Sequence, residues 1–166
     1  MPTALFIGRF QPLHNAHLKV IKGILKENGG IIIAIGSSQE KHTMENPFST
    51  EERGQMIDDV MKVNKIKNYE ITEIPDYFDD MKWCGHIKDK IKRFDIAYSG
   101  NNYVLSCLKR NGFSVKKIKL IEGINSTKIR QLIKAGENWK RLVPREVAKF
   151  IEGINGVERI ISLKIN

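Results

Sequence analysis

Five short apolar runs, Thr3 to Ile7, Ile31 to Ile35, Tyr69 to Ile74, Ile96 to Tyr98 and Val115 to Ile121, alternate with segments whose apolar residues recur at helical spacing. Runs this short and this rich in Ile and Val suit strands covered on both faces, and parallel strands need a crossover between each pair. The alternation therefore predicts an α/β chain: one five-stranded parallel sheet inside a three-layer α/β/α sandwich. No internal repeat, low-complexity tract or linker interrupts it.

The crossovers carry their own helix signals. Leu18, Ile21, Ile24 and Leu25 form one stripe, Met56, Ile57, Val60 and Met61 a second, and Val104, Leu105 and Leu108 another, with Met81 to Ile91 filling the remaining crossover. Ser49 followed by Glu52 is a capping box. Beyond the last strand, Pro144 suits a first helical turn and Val147, Phe150 and Ile151 supply an apolar stripe. Gly156 is expected to end that helix before a last one over Val157 to Leu163.

With 166 residues and 41% hydrophobic composition, the chain can fill one core, so residues 1–166 are read as a single domain. Lys and Arg outnumber Asp and Glu by 28 to 19, a formal charge of +9 that favours an anionic partner. The basic clusters around Lys88 to Lys92 and Lys116 to Lys119 lack interleaved aromatics, so they read as solvated surface and no nucleic acid is expected. Cys84 and Cys107 stand without C-x-x-C spacing and read as reduced, partly buried thiols; no protein-held metal is expected. With no bilayer-length apolar stretch and no signal-peptide pattern, the expected location is cytoplasmic.

Ligands of an open parallel sheet sit beyond the carboxyl ends of its strands. Here each strand is followed by small or polar residues: Gly8 to Pro12, Gly36 to Gln39, Pro75 to Tyr77, Ser99 to Asn101, and Glu122 to Thr127. Any one could merely turn the chain, but five at one end form a cleft. The first exit leads into His14 and His17 where a helix begins. Unpaired helix N–H groups, Arg9, both histidines and the small Gly8 suit a polyphosphate. The last exit opens a helix with Ser126 and Thr127 and continues with Lys128 and Arg130, gathering hydroxyls, N–H groups and cations. Zinc ligation by the two histidines lacks a companion Glu or Cys.

The two segments together resemble the signatures of the nucleotidyltransferase superfamily, H-x-G-H near the start and a Ser-Ser/Thr-x-x-Arg type motif near the end. Gly8 to Pro12, Gly36 to Gln39, His42, Asn46-Pro47-Phe48, Glu52-Arg53, Trp83, Tyr98 to Asn101 and Gly156 to Arg159 extend the likeness end to end to the archaeal-type nicotinamide-nucleotide adenylyltransferases. That resemblance implies a Rossmann-like fold and transfer of AMP from ATP to nicotinamide mononucleotide, giving NAD and pyrophosphate without a covalent intermediate. It also implies a divalent cation, magnesium carried by the ATP phosphates, and a homo-oligomer such as a hexamer. It assigns His14 and His17 to the α-phosphate, Arg9 to bridging phosphates, and Ser126, Thr127 and Arg130 to the leaving group. Gly8, Phe10, Gln11, Ser99, Gly100 and Asn101 fall to ATP, and Gly36, Ser37, Asp80 and Trp83 to the nicotinamide nucleotide.

Two positions depart from the family pattern. Ala16 stands where the histidine motif has glycine, which could crowd the nucleotide. Asp79 and Asp80 stand near an expected asparagine, with Asp80 the counterpart. A carboxylate can accept from the amide of nicotinamide but repels nicotinate, so the amide substrate is favoured. Two alternatives stay open: another phosphate acceptor, such as phosphopantetheine, flavin mononucleotide or a sugar phosphate, and a basic nucleotide- or nucleic-acid-binding module without turnover.

Overall fold

The computed structural model describes residues 1–164 except 78, 92 and 120, with nothing stated of the side chains at 80 and 81. Five strands, β1 (Thr3–Gly8), β2 (Gly30–Ile35), β3 (Tyr69–Glu73), β4 (Ile96–Ser99) and β5 (Ser114–Lys117), form one parallel sheet in the order β3-β2-β1-β4-β5. The order reverses between β1 and β4, which pair from Ala4 opposite Ile96 to Phe6 opposite Tyr98. Such a switch point opens a crevice above the strand ends.

Alternation along the buried strands divides two cores. Ala4 and Phe6 of β1 with Ile31, Ile33 and Ile35 of β2 face one side. They pack on α1 (Asn15–Glu27), α2 (Thr50–Val63), α5 (Ser126–Lys134), α6 (Arg145–Gly153) and α7 (Gly156–Ser162). Leu5, Ile7, Ile32, Ala34 and Ala97 face the other side, against Trp83, Cys84 and Ile87 of α3 (Asp80–Lys90) and Val104, Cys107 and Leu108 of α4 (Asn102–Arg110). Period-two alternation sends successive β1 side chains into different layers.

Several sequence expectations change in detail. The edge strands β3 and β5 are half exposed, because each has a neighbour on one side only. β5 ends at Lys117 rather than Ile121, since a run bearing Lys116, Lys117 and Lys119 cannot be covered on both faces. Pro144 is the N-cap residue of α6, just outside the helix. Gly156 does not end a helix: Asn155 supplies the left-handed turn, φ 54°, and Gly156 is the first residue of α7. A Cβ on Gly156 would lie 2.9 Å from the Ile151 carbonyl oxygen and 3.1 Å from the Phe48 ring, so glycine lets α7 close on the core. Cys84 and Cys107 are not separate thiols: they pair as a disulfide joining α3 to α4, with Cα atoms 6.4 Å apart. Among the described residues no helix is long and apolar enough to cross a membrane.

Candidate active site

A cleft of about 580 Å³ lies above the carboxyl ends of the strands, and residues following all five strands line it. Three helices, α1, α4 and α5, begin at its rim, each capped by a side chain. Their N-termini bring partial positive charge and N–H groups to one place.

At α1 the cap is His14. Its Nδ1 accepts from the His17 backbone N–H at 3.3 Å, and the His17 Nδ1 accepts from the His14 N–H at 3.3 Å. This is a capping box built from two imidazoles, which stack with ring centroids 3.6 Å apart. A backbone N–H can only donate, so each Nδ1 must be unprotonated and each neutral ring carries its proton on Nε2. Burial pushes His14 down to about 4, against a smaller opposing contribution from its backbone hydrogen bond. Burial, followed by the charge His14 would carry, holds His17 well below its ordinary value. The cleft thus receives neutral donors, not imidazolium ions.

Phe10 closes the back of this pair, its ring 4.8 Å from that of His17. Gly8 serves that ring: an added Cβ would meet the Phe10 ring tip at 2.9 Å, so Phe10 itself requires a glycine there. Gln11 lines the cleft, yet its side chain is committed to both backbone groups of Phe48, donating to the carbonyl at 2.8 Å and accepting from the N–H at 3.0 Å.

Across the cleft, the N-cap of α5 is Asn125, which accepts from Lys128 N–H at 2.8 Å; Ser126 is the first helical residue. The Ser126 hydroxyl donates to the Pro12 carbonyl at 3.0 Å. Arg130, 6% exposed, donates to the Gln11 carbonyl at 2.9 Å and to the Thr127 hydroxyl at 3.4 Å, leaving the Thr127 proton to be donated elsewhere. Burial and the charge of Arg9 lower Arg130 from its ordinary value. Arg9 itself is exposed at the cleft wall.

Ser99 and Asn101 line the cleft while also building it: Ser99 Oγ accepts from Asn101 N–H at 3.1 Å, and Asn101 caps α4 through Tyr103 N–H at 2.9 Å. Gly100, Gly36, Ser37 and Ala16 also face the opening. Trp83, 8% exposed, belongs to the second core and lines the cleft as well. The Asp80 side chain lies outside the described residues. Two carboxylates line the cleft, Glu122 and Asp76, the latter anchored where its backbone N–H donates to Gln39 Oε1 at 2.9 Å.

Sequence reasoning missed two components. The β5–α5 segment contributes an apolar wall of Ile118 and Ile121, hidden because both read as strand, joined by Ile124 from the strand exit. Arg53, wholly buried, was read only as a family motif position. Among the described residues no group of three His, Cys, Asp or Glu side chains could hold a metal.

Residues 5–132 match the cytidylyltransferase-like family model. A nicotinamide-nucleotide adenylyltransferase of Thermococcus kodakarensis is 37% identical over 98% of this chain and 88% of its own length. One from Thermoplasma acidophilum is 38% identical over 96% and 90%. The chain belongs to the nicotinamide-nucleotide adenylyltransferase family. Among solved structures, a bifunctional NMN adenylyltransferase/ADP ribose pyrophosphatase from Francisella tularensis, complexed with AMP and a manganese ion, superposes with a TM-score of 0.82 at 24% identity. It covers 98% of this chain, which spans about half, 52%, of the bifunctional protein. That likeness shows the fold.

Proposed function

We propose that residues 1–166 act as one catalytic unit that transfers AMP from ATP to nicotinamide mononucleotide, releasing pyrophosphate and forming NAD. The observation that carries this reading is the reciprocal capping of His14 and His17 at the N-terminus of α1, within a cleft shared with Arg130 of α5.

The mononucleotide's 5′-phosphate oxygen attacks the α-phosphorus in line, and the bond to the pyrophosphate oxygen breaks. Such a reaction needs alignment of two anions and stabilisation of spreading negative charge, not a protein nucleophile. The Nε2–H groups of His14 and His17 donate to α-phosphate oxygens whose charge grows in the transition state. Arg9 spans the phosphates from the rim. Thr127, the N–H groups opening α5 and Arg130 receive the departing pyrophosphate. Ser126 acts chiefly through its bond to Pro12, which docks α5 on the β1–α1 loop.

The donors of this cleft are cationic and neutral N–H and O–H groups, which fit the oxygens of a triphosphate. A divalent ion, magnesium in this proposal, would come with the triphosphate and supply further charge neutralisation beside Arg9 and Arg130. Asp76 in the cleft with Trp83 supports discrimination for the carboxamide over a carboxylate. The location proposed is the cytoplasm, and the assembly a homo-oligomer such as a hexamer.

Direct attack has a distinct kinetic signature. Without a mononucleotide, labelled pyrophosphate should not exchange into ATP; exchange at a rate comparable to turnover would show a nucleotidylated enzyme and contradict the mechanism.

A further inference from the structure

Arg53 of α2 is 0% exposed and uses all five N–H donors of its guanidinium. Nε donates to the Ser49 carbonyl at 3.2 Å, one terminal nitrogen to the carbonyls of Arg9 at 2.9 Å and Gly36 at 2.8 Å, and the other to the Ser37 carbonyl at 3.1 Å and the Thr50 hydroxyl at 3.0 Å. None of these partners is a carboxylate. Burial and the charge of Arg9 push the group down to about 10, so it remains a cation at neutral pH. The carboxylates of Glu51, Asp76 and Glu73 act on it only through space, and a buried cation with no directly bonded counter-ion is a poor way to stabilise a core, where an apolar side chain of similar volume is commonly as good or better.

The carbonyls it holds explain its presence. The β1–β2 ladder ends where Gly36 N–H donates to Gly8 at 2.9 Å, and the next carbonyls outward, Arg9 and Gly36, both turn to Arg53. Each belongs to the peptide plane that leads into a non-glycine residue of left-handed backbone: Phe10 at φ 52° and Ser37 at φ 49°. Left-handed backbone is unfavourable for side chains of this kind and persists where surrounding contacts over-determine it. In a trans peptide the C=O and the following N–H point in opposite directions. Fixing the two carbonyls on Arg53 therefore turns the N–H groups of Phe10 and Ser37 away from it, at two residues that line the cleft. Successive backbone N–H groups at turns that enter the left-handed region form anion-binding concavities.

We propose that Arg53 is a positioning residue: it clamps the peptide planes before Phe10 and Ser37 so that their N–H groups serve as phosphate donors, one on the β1–α1 wall and one on the β2–α2 wall. One guanidinium thereby fixes the relative placement of the two substrates. This inference rests on the nucleotide-transfer reading above. It assigns Arg53 no contact with substrate; its effect runs through backbone donors.

Arg53→Lys keeps the charge but loses the planar fork. Its effect is read by calorimetric binding of nicotinamide mononucleotide, of nicotinamide riboside, which lacks the phosphate, and of inorganic pyrophosphate, alongside kcat and KM. Affinity for the mononucleotide and pyrophosphate should fall 10- to 100-fold, while that for the riboside stays within about threefold of the parent. Equal weakening of riboside and mononucleotide would reduce Arg53 to a scaffold, and unchanged affinities would dismiss the clamp. In the parent protein, independently of whether the variant folds, the amide NMR signals of Ser37 and Phe10 should shift with the mononucleotide and pyrophosphate respectively, and Ser37 should not shift with the riboside. Silence of both amides would overturn the proposal. If the parent binds these phosphates with both amides responding but forms no NAD, the transfer reading fails and the clamp stands.

Discussion

His14 and His17 cap the helix that carries them, and that double duty sets how the site responds to pH. Both imidazoles are neutral in the fold, with His14 down to about 4 and His17 well below its ordinary value. Between pH 6.5 and about 4 the unfolded chain takes up protons that the folded chain refuses, so stability falls as pH falls through that window. For His14 alone the loss is about 3 kcal/mol, and His17 adds in the same direction. Denaturant titrations from pH 7.5 to 4.5 should show this slope, and His14→Ser with His17→Gln should flatten it; an unchanged slope would place the titration elsewhere. Catalysis should show no histidine transition near pH 6.5 in kcat. Replacing His17 by Ala should cost about 3 kcal/mol in the barrier, roughly a hundredfold in kcat, by comparison with loss of one well-aimed oxyanion donor.

The histidines, arginines and strand exits could be found in the sequence because chemistry restricts residue type there. What each polar group is committed to could not. Gln11 is bound to Phe48, 37 residues away in the chain, and Ser126 is bound to Pro12, 114 residues away. Spacing reports neighbours along one element, whereas these bonds depend on how two loops meet. Gly8 gives the same lesson: its smallness is required by the Phe10 ring, a contact visible only once the backbone turns left at Phe10.

At the scale of elements, the segment following β2 is bonded near its start, where Ser38 N–H donates to the Ile74 carbonyl, and again at its far end. Phe48 is gripped through its backbone by Gln11, Pro47 accepts from Arg159 at 3.1 Å, and Arg159 pairs with both oxygens of Glu52 at 2.7 and 2.8 Å. Glu52 in turn completes the capping box on Ser49. The C-terminal helix α7 is thus tied to the start of α2, and through α2 to the wall of the cleft. Gly156→Ala should force α7 off Phe48 and destabilise the fold by roughly 1–3 kcal/mol, the usual range for overpacking. Thermal unfolding measures it; a shift of less than one degree would mean that α7 yields freely. Helix existence and the Ser49 cap were legible from periodicity and capping chemistry, but the left-handed Asn155 was not. Gly156 carried the stronger turn signal while packing, rather than conformation, requires it.

Taken whole, the molecule concentrates its unusual features at one end of a regular sheet. Three helix N-termini, the guanidiniums of Arg9, Arg53 and Arg130 and two neutral imidazoles gather where the strand order reverses. Elsewhere, Lys116 with Glu27, Lys62 with Asp58 and Lys140 with Glu152 form surface pairs, each worth little to stability. The alternation of strands and helices made the fold class legible throughout, since each buried strand reads the same on both faces. The exposure of the edge strands, the early end of β5 and the disulfide between α3 and α4 were not, because edge exposure and sulfur proximity follow from assembly of the sheet. Chelation of divalent ions should abolish turnover and magnesium should restore it, as expected when the ion travels on the phosphates.

The central claim is acceptor-dependent transfer of AMP in this cleft. It is tested most directly by pyrophosphate release from ATP and magnesium with nicotinamide mononucleotide, nicotinate mononucleotide, phosphopantetheine and flavin mononucleotide offered separately. The account predicts rapid release with nicotinamide mononucleotide, NAD formed in equal amount, far slower release with nicotinate mononucleotide, and none with the other two. Release driven by a different acceptor, or ATP binding with no release at all, would contradict it.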